Sequence, residues 1–406
     1  MRRRACVVAW IAGASVAVGA GYKIVDLGTL GGTRSVAFDL NDSGQVVGYS
    51  YNASGKYHAF LWQNGTMSDL GTLGGEDSYA FGINASGQVV GESSKGSGLK
   101  PCIWDGGAPT ALKGGDGGAH AINDLGEVVG RIGDHAAYWP SKTSNPTDLG
   151  TLGGSYSMAT GINNAGQIVG WATNLVGGVQ RVKAVLWEDL GGGYVITDLD
   201  QVTQQTKPYP AINNHGQVVG RFRVASGPDT GQLHAFLWEN GTATDLGTLG
   251  GHDSWATDIN DQGHVVGMSE VSSGATHAFL WQGGPLIDLG TVYGDSSYTY
   301  AINERGQVAG SMGTGSAWAY DHAALWTLGP LITGLLRSGP NLLLTFSASP
   351  PGPSTTYQLQ SAAGPGGSWS AVAGAVLTMP APGNYQFTAP LSTSVERAIY
   401  RVREQS

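Results

Sequence analysis

Five histidines occupy one repeated position in the chain, His58, His135, His234, His277 and His322, and an aspartate recurs with them in a D-L-G tripeptide at Asp26, Asp69, Asp148, Asp245 and Asp288, and in D-L-D at Asp198. A ring of imidazoles is a metal-binding set, and an imidazole beside a carboxylate is a general base. A catalytic or metal-binding residue is needed once, whereas a structural one is needed in every repeat. The histidines are therefore read as structural, each bonded within its own unit. Seven asparagines, Asn41, Asn84, Asn123, Asn163, Asn213, Asn260 and Asn303, each stand three residues before a glycine. That spacing suits a tight turn, and the calcium-loop pattern is absent. The chain also has no H-E-x-x-H, G-x-S-x-G, Walker loop or Cys/His cluster, so nothing calls for a metal or a cofactor. Cys102 has no partner once Cys6 is assigned to an export signal, and it reads as a small buried residue.

The elements that position these residues follow from the repeat. Each unit runs D-L-G-T-L-G-G, A-x-x-I-N, G-Q-V-V-G and H-A-F-L-W, and it closes on Trp62, Trp104, Trp139, Trp187, Trp238, Trp281 or Trp326. Spacings of 39 to 50 residues between the asparagines indicate a propeller or solenoid array. Within a unit, the Asn41 to Gly44 turn joins two strands, and Asn64-Gly65 is a strong hairpin signal that joins two more. Runs such as Ala59-Phe60-Leu61-Trp62 are apolar without alternation, as expected of a strand covered on both faces. The sequence thus predicts an all-β chain over residues 21–329: a seven-bladed β-propeller of four-stranded antiparallel blades. Seven outer strands serve seven units only if Lys23 to Gly28 completes the last blade, so the ring should close on its N-terminal strand. Residues 330–406 read as a small C-terminal β-sandwich with Tyr357, Trp369 and Tyr400 in its core.

Composition sets the outer limits. The chain has 66 Gly in 406 residues and 13% charged residues, as expected of a turn-rich all-β protein. Residues 1–20 read as a signal peptide, with Arg2, Arg3 and Arg4 before an apolar run and small residues before Gly21. Without them, 18 Lys and Arg face 30 Asp and Glu, a net charge of −12. That balance argues against nucleic acid or an anionic membrane as a partner.

The three motifs, recurring in order over residues 22 to 326, resemble the bacterial extracellular repeats named HAF for their tripeptide. The third and fifth units depart most, with Ala111-Leu112-Lys113 in place of D-L-G and prolines flanking Tyr209. The resemblance implies export and a repeat fold, and it implies no reaction. The C-terminal region is similar to the small fibronectin-like or immunoglobulin-like sandwiches of bacterial surface proteins.

Shared positions build the scaffold, so differences between units carry any specificity. The loops after G-Q-V-V-G, such as Trp171 to Val182, and those expected before the inner strands, with Tyr79, Met158, Trp255 and Tyr298, vary most. Tyr79, Trp255, Tyr298 and Trp171 are the candidate ligand-binding residues, because exposed aromatic rings stack on sugars or anchor peptides. The function expected is that of a secreted, monomeric, non-catalytic binding module for a carbohydrate or a cell-surface protein. The alternatives are a polysaccharide hydrolase or lyase using Glu76, Asp77, Asp253 and Asp295 at the channel, and a structural component of the cell surface. Deleting residues 21–30 should unfold or aggregate the ring; a stable monomer by light scattering would refute closure by the N-terminal strand.

Overall fold

A computed structural model describes residues 22–199, 209–291, 296–313 and 321–328 of the repeat region, and the segments 331–338, 341–347, 356–362, 370–371, 375–381, 384–390 and 399–405 beyond it. Residues 1–20, expected to be an export signal, Asp295 and Trp369 lie outside the described residues.

The repeats form seven four-stranded antiparallel sheets arranged as the blades of a propeller. Blade one shows the plan: an innermost strand Gly31–Leu40, then Val46–Asn52, Tyr57–Gln63 and an outermost strand Thr66–Asp69. Asn64 and Asn240 adopt positive φ before Gly65 and Gly241, as the tight outer hairpin requires. The last blade is composite, with Ser297–Ile302, Val308–Gly313 and Asp321–Leu328 completed by Tyr22–Asp26. The Leu27 N–H donates to the Ala323 carbonyl across this junction, so the ring closes on its N-terminal strand.

Strand limits differ from the sequence reading in two ways. The outermost strands stop at the aspartate and do not run on through D-L-G. The carboxylates of Asp26, Asp69, Asp148, Asp245 and Asp288 accept the N–H of the glycine two residues on, which turns the chain inward. The innermost strands of blades one, four and six start at the second pair of T-L-G-G residues, as Gly31–Leu40, Gly153–Ile162 and Gly250–Ile259. Tyr79, Met158, Trp255 and Tyr298 therefore sit in strands and not in loops.

Three sets of bonds run between neighbouring blades, the first at every junction and the other two at several. The Asn41 side-chain amide donates to the Asn84 carbonyl, and the relay continues through Asn123, Asn163, Asn213, Asn260 and Asn303, which donates back to Asn41 at 3.1 Å. Midway along the blade, buried serines tie the third strand of one blade to the next: the Ala59 N–H donates to Ser78 Oγ, whose hydroxyl donates to the Gly71 carbonyl. Ser254 and Ser297 repeat this arrangement, and Ser35 repeats it across the closure. Toward the rim, the indole N–H groups of Trp104 and Trp187 reach the Leu70 and Leu149 carbonyls of the preceding blade. Four of the seven closing tryptophans, Trp104, Trp139, Trp187 and Trp326, are fully buried, while Trp62, Trp238 and Trp281 are half-buried.

Past the propeller, Leu331–Ser338, Asn341–Ser347, Asn384–Pro390 and Val376–Ala381 pair in that order as one antiparallel sheet, and Ser370–Ala371, Thr356–Ala362 and Ile399–Gln405 pair as another.

Asn163 makes four such bonds: its amide donates to the Asn213 carbonyl and to Gln167, and its carbonyl accepts from the N–H groups of Ala165 and Gln167. Each buried backbone group left without a partner costs about 1–3 kcal/mol. Asn163→Ala should therefore lower unfolding stability by more than about 2 kcal/mol in urea titration, and a loss below 0.5 kcal/mol, within the usual range of surface changes of about ±0.5 kcal/mol, would remove the relay as a determinant of stability.

Candidate functional site: one end of the central channel

The residues that face the channel are set by a repeated irregularity. In six of the innermost strands the pairing with the second strand slips by one residue between the alanine (threonine in blade seven) and the residue two further on, as between Ala37 and Asp39. The residue skipped is Phe38, Phe81, His120, Thr160, Thr257 or Tyr300. A bulge leaves its extra residue unpaired and re-aims that side chain. Here all six are half-buried and line one cavity of about 650 Å³. The bulge also explains the glycine of V-V-G. A Cβ on Gly91 would lie 1.9 Å from the Tyr79 carbonyl oxygen, and one on Gly310 would lie 1.9 Å from that of Tyr298.

The wall is not symmetric. From blade seven to blade three it is a run of rings, Tyr300 to Phe38 at 5.2 Å, Phe38 to Phe81 at 5.5 Å and Phe81 to His120 at 5.3 Å between centroids. Behind it Tyr49 packs on Phe38, Tyr57 and Tyr79, and the hydroxyls of Tyr51 and Tyr57 are 2.6 Å apart. The opposite wall has Met158, Thr160, Tyr209, Pro210, Arg221, Trp255, Thr257 and Met268. A concave, mainly apolar space of a few hundred Å³ with a few polar groups is the usual form of a small-ligand site.

Among the sequence candidates, Trp255 lines this cavity, and so does Met158. Tyr79 is wedged between Tyr49 and Tyr57 as part of the supporting cluster, and burial pushes its phenol upward. Tyr298 lies in the innermost strand of blade seven opposite Ser311. Trp171, expected in a loop, is in the second strand of blade four opposite Met158 and is only 8% exposed. Of the four carboxylates expected at the channel, the three among the described residues are elsewhere. Glu76 is exposed and pairs with Lys56 at 2.6 Å, while Asp77 and Asp253 accept the N–H groups of Tyr57 and Leu233 in the preceding blade. Their side chains are used to hold neighbouring blades together.

The histidines do not converge either. His58, His135, His234 and His277 lie 2.7–2.9 Å from Asp69, Asp148, Asp245 and Asp288 within their own blades, and His322 lies 3.0 Å from Asp26 in the closing blade. In blade four Lys183 faces Asp198 instead, at 3.8 Å. Among the described residues no three His, Cys, Asp or Glu side chains gather as a metal site. Cys102 is buried, and burial raises its thiol.

The asparagine end of the channel opens into a second space of about 440 Å³. Its acidic rim is committed to the backbone: Asp124, Asp261, Glu304 and Asp42 each accept an N–H from the preceding blade. Between the two spaces, the position after the bulge is glycine or alanine except at Asp39 and Asp258. Burial raises Asp39 to about 7, against N–H bonds from Ile83 and Leu40. Burial raises Asp258 to about 8, with the Asp39 charge adding to it.

What sequence reasoning missed was the bulge position. Its signal was present as the first variable position of A-x-x-I-N, which changes from aromatic to imidazole to hydroxyl while the second is Asp, Ala or Gly, as in A-F-D-L-N, A-H-A-I-N and A-T-G-I-N.

No family model and no curated protein matches the chain. Among solved structures it is similar to the β-propeller domain of the Trilobed protease from Pyrococcus furiosus, at 12% identity and TM-score 0.49, over 72% of this chain and 93% of that one. It is also similar to TolB from Acinetobacter baumannii, at 10% identity and TM-score 0.40, over 90% of this chain and 65% of that one. A third is the acylaminoacyl peptidase of Pyrococcus horikoshii, at 10% identity and TM-score 0.35, over 78% and 50%. The strand pairing, and not these likenesses, carries the fold.

Asp39 and Asp258 make stability depend on pH with a definite sign. A carboxyl raised from 3.8 to about 7 or 8 on folding favours the native state below pH 4, and that advantage is lost as pH rises through 7 to 8. In thermal unfolding between pH 4 and pH 9, the Tm of Asp39→Asn/Asp258→Asn relative to the natural chain should therefore rise with pH. A constant difference would show that the two carboxyls titrate normally.

Proposed function

We propose that the protein is a secreted, non-catalytic binding module of the HAF-repeat kind that takes a small ligand, a carbohydrate unit, in the aromatic-walled end of its central channel. One observation carries this reading: six bulged residues, from six blades, aim into a single cavity of about 650 Å³. Phe38, Phe81 and Tyr300 are prepacked ring to ring, so little side-chain entropy remains to be lost on binding. The apolar faces of sugars suit such rings, and His120, Arg221, Thr160 and Thr257 supply polar contacts in the same cavity. The carboxylates favoured by a hydrolase or lyase reading, Glu76, Asp77 and Asp253, hold blades together and do not line this space.

A glycan array, with the same polysaccharides assayed for new reducing ends and unsaturated products, tests the reading. The expected result is binding without turnover, weakened about tenfold or more by Trp255→Ala or Phe81→Ala, since truncating a buried aromatic anchor costs roughly 2 kcal/mol. Turnover would replace it with an enzyme, and binding unaffected by both substitutions would move the site away from the channel.

A further inference from the structure

We propose that Arg221 makes the channel selective for an acidic sugar: a hexuronate stacks its ring on Trp255 and places its carboxylate on the Arg221 guanidinium. This rests on the channel being the carbohydrate site and names which carbohydrate. Arg221 follows the glycine that ends G-Q-V-V-G in blade five, and its counterparts in the other blades are Tyr49, Glu92, Arg131, Trp171, Met268 and Ser311. Each of those six pairs with a residue of its own innermost strand. In blade five the described inner pairing ends at Ala211 opposite Val219, two residues short of Arg221. Arg221 lines the cavity of about 650 Å³ directly, together with Tyr209, Pro210 and Trp255.

The charge of the wall is one-sided. Among the described residues that line the cavity none is Asp or Glu, and Arg221 is the one with a permanent charge. His120 is neutral at ordinary pH, because burial, reinforced by the Arg131 charge, lowers it to about 4. Burial lowers Arg221 as well, and the charges of Asp253 and then Tyr209 oppose that shift. Asp253 accepts the Leu233 N–H and does not line the cavity. A guanidinium carries five N–H donors in a planar fork, enough to serve a ligand carboxylate as well as its neighbours in the wall. The net negative charge of the chain is screened over about 8 Å at physiological salt, so the lining sets the local field.

The arrangement suits a pyranose in particular. A sugar stacked by its apolar face on an indole carries its substituents outward around the ring edge, C6 among them. In a neutral hexose C6 is a hydroxymethyl group, whereas in a hexuronate it is a planar carboxylate that matches the guanidinium fork. Arg221 and Trp255 belong to Val218–Arg223 and Gly250–Ile259, contacting strands of adjacent blades, so both groups are offered to one ring. A cationic ligand would meet a fixed positive charge with no carboxylate in the lining to answer its own.

The test titrates the whole chain calorimetrically with the methyl glycosides of glucuronic and galacturonic acid and with those of glucose and galactose, which differ from them only at C6. At least one uronide should bind about tenfold or more tighter than its neutral counterpart, and about 1 M NaCl should narrow that gap. Arg221→Gln should bring the members of that pair within about twofold of each other while leaving the neutral sugar's affinity unchanged. Arg221→Lys, which keeps the charge and loses the fork, should retain part of the preference. If the uronides bind the natural chain no tighter than the neutral sugars, while Trp255→Ala weakens both, the acidic subsite is refuted and the channel reading stands. A preference that survives Arg221→Gln undiminished places the carboxylate elsewhere and refutes the subsite too. If none of the four sugars binds, or Trp255→Ala changes no affinity, both readings are refuted.

Discussion

Seven asparagine side chains, each donating to the backbone of the next blade, form a closed relay around the narrow end of the channel, and the rest of the ring is built outward from it. Every asparagine does two jobs. Its carbonyl oxygen holds its own turn, as Asn303 does for Arg305 and Gln307, while its amide fixes the spacing to the neighbouring blade. Being buried, these groups have no water to fall back on, so the geometry of one turn constrains the next. A second relay one residue further out is incomplete. Asp124, Asn164, Asn214, Asp261, Glu304 and Asp42 each cap a backbone N–H, but Ala85 offers no acceptor to blade one. The ring tolerates that gap because the inner relay is continuous.

With the asparagine ends held at one radius, the bulge sets what the other end of the channel presents. It presses the inner strand against the second, which leaves no room for a side chain at Gly48, Gly91 or Gly310, and it turns one residue per strand toward the axis. Scaffold and site are therefore adjacent positions of the same strand. Ala80 is buried, Phe81 faces the cavity, and Ile83 and Asn84 return to the core. Variation can accumulate at Phe81 and its counterparts without disturbing the bonds between blades.

Most of the fold was legible because it is repeated. Two hairpin turns per unit and apolar runs without alternation point to blades covered on both faces, and the count of outer strands points to closure by Tyr22–Asp26. The site was less legible. Tyr79 and Trp255 look equivalent in the sequence, yet one is wedged among tyrosines and the other lines the cavity, because their neighbours differ between blades. Asp77 and Asp253 look like channel acids, and they turn outward to cap strands of the preceding blade.

The sequence by itself determined which residues pair locally: the period, the turns at Asn41 to Gly44 and Asn64-Gly65, and the apolar strands between them follow from short-range sterics and hydrophobic pattern. Only the tertiary structure decided what meets across blades. The relay from Asn303 to Asn41 joins residues 262 positions apart, and the Glu92 carboxylate covers Gly118 because a strand of blade two stands beside a strand of blade three. Such contacts depend on how strands twist and stagger around a closed ring, a property of the whole assembly that no single repeat encodes.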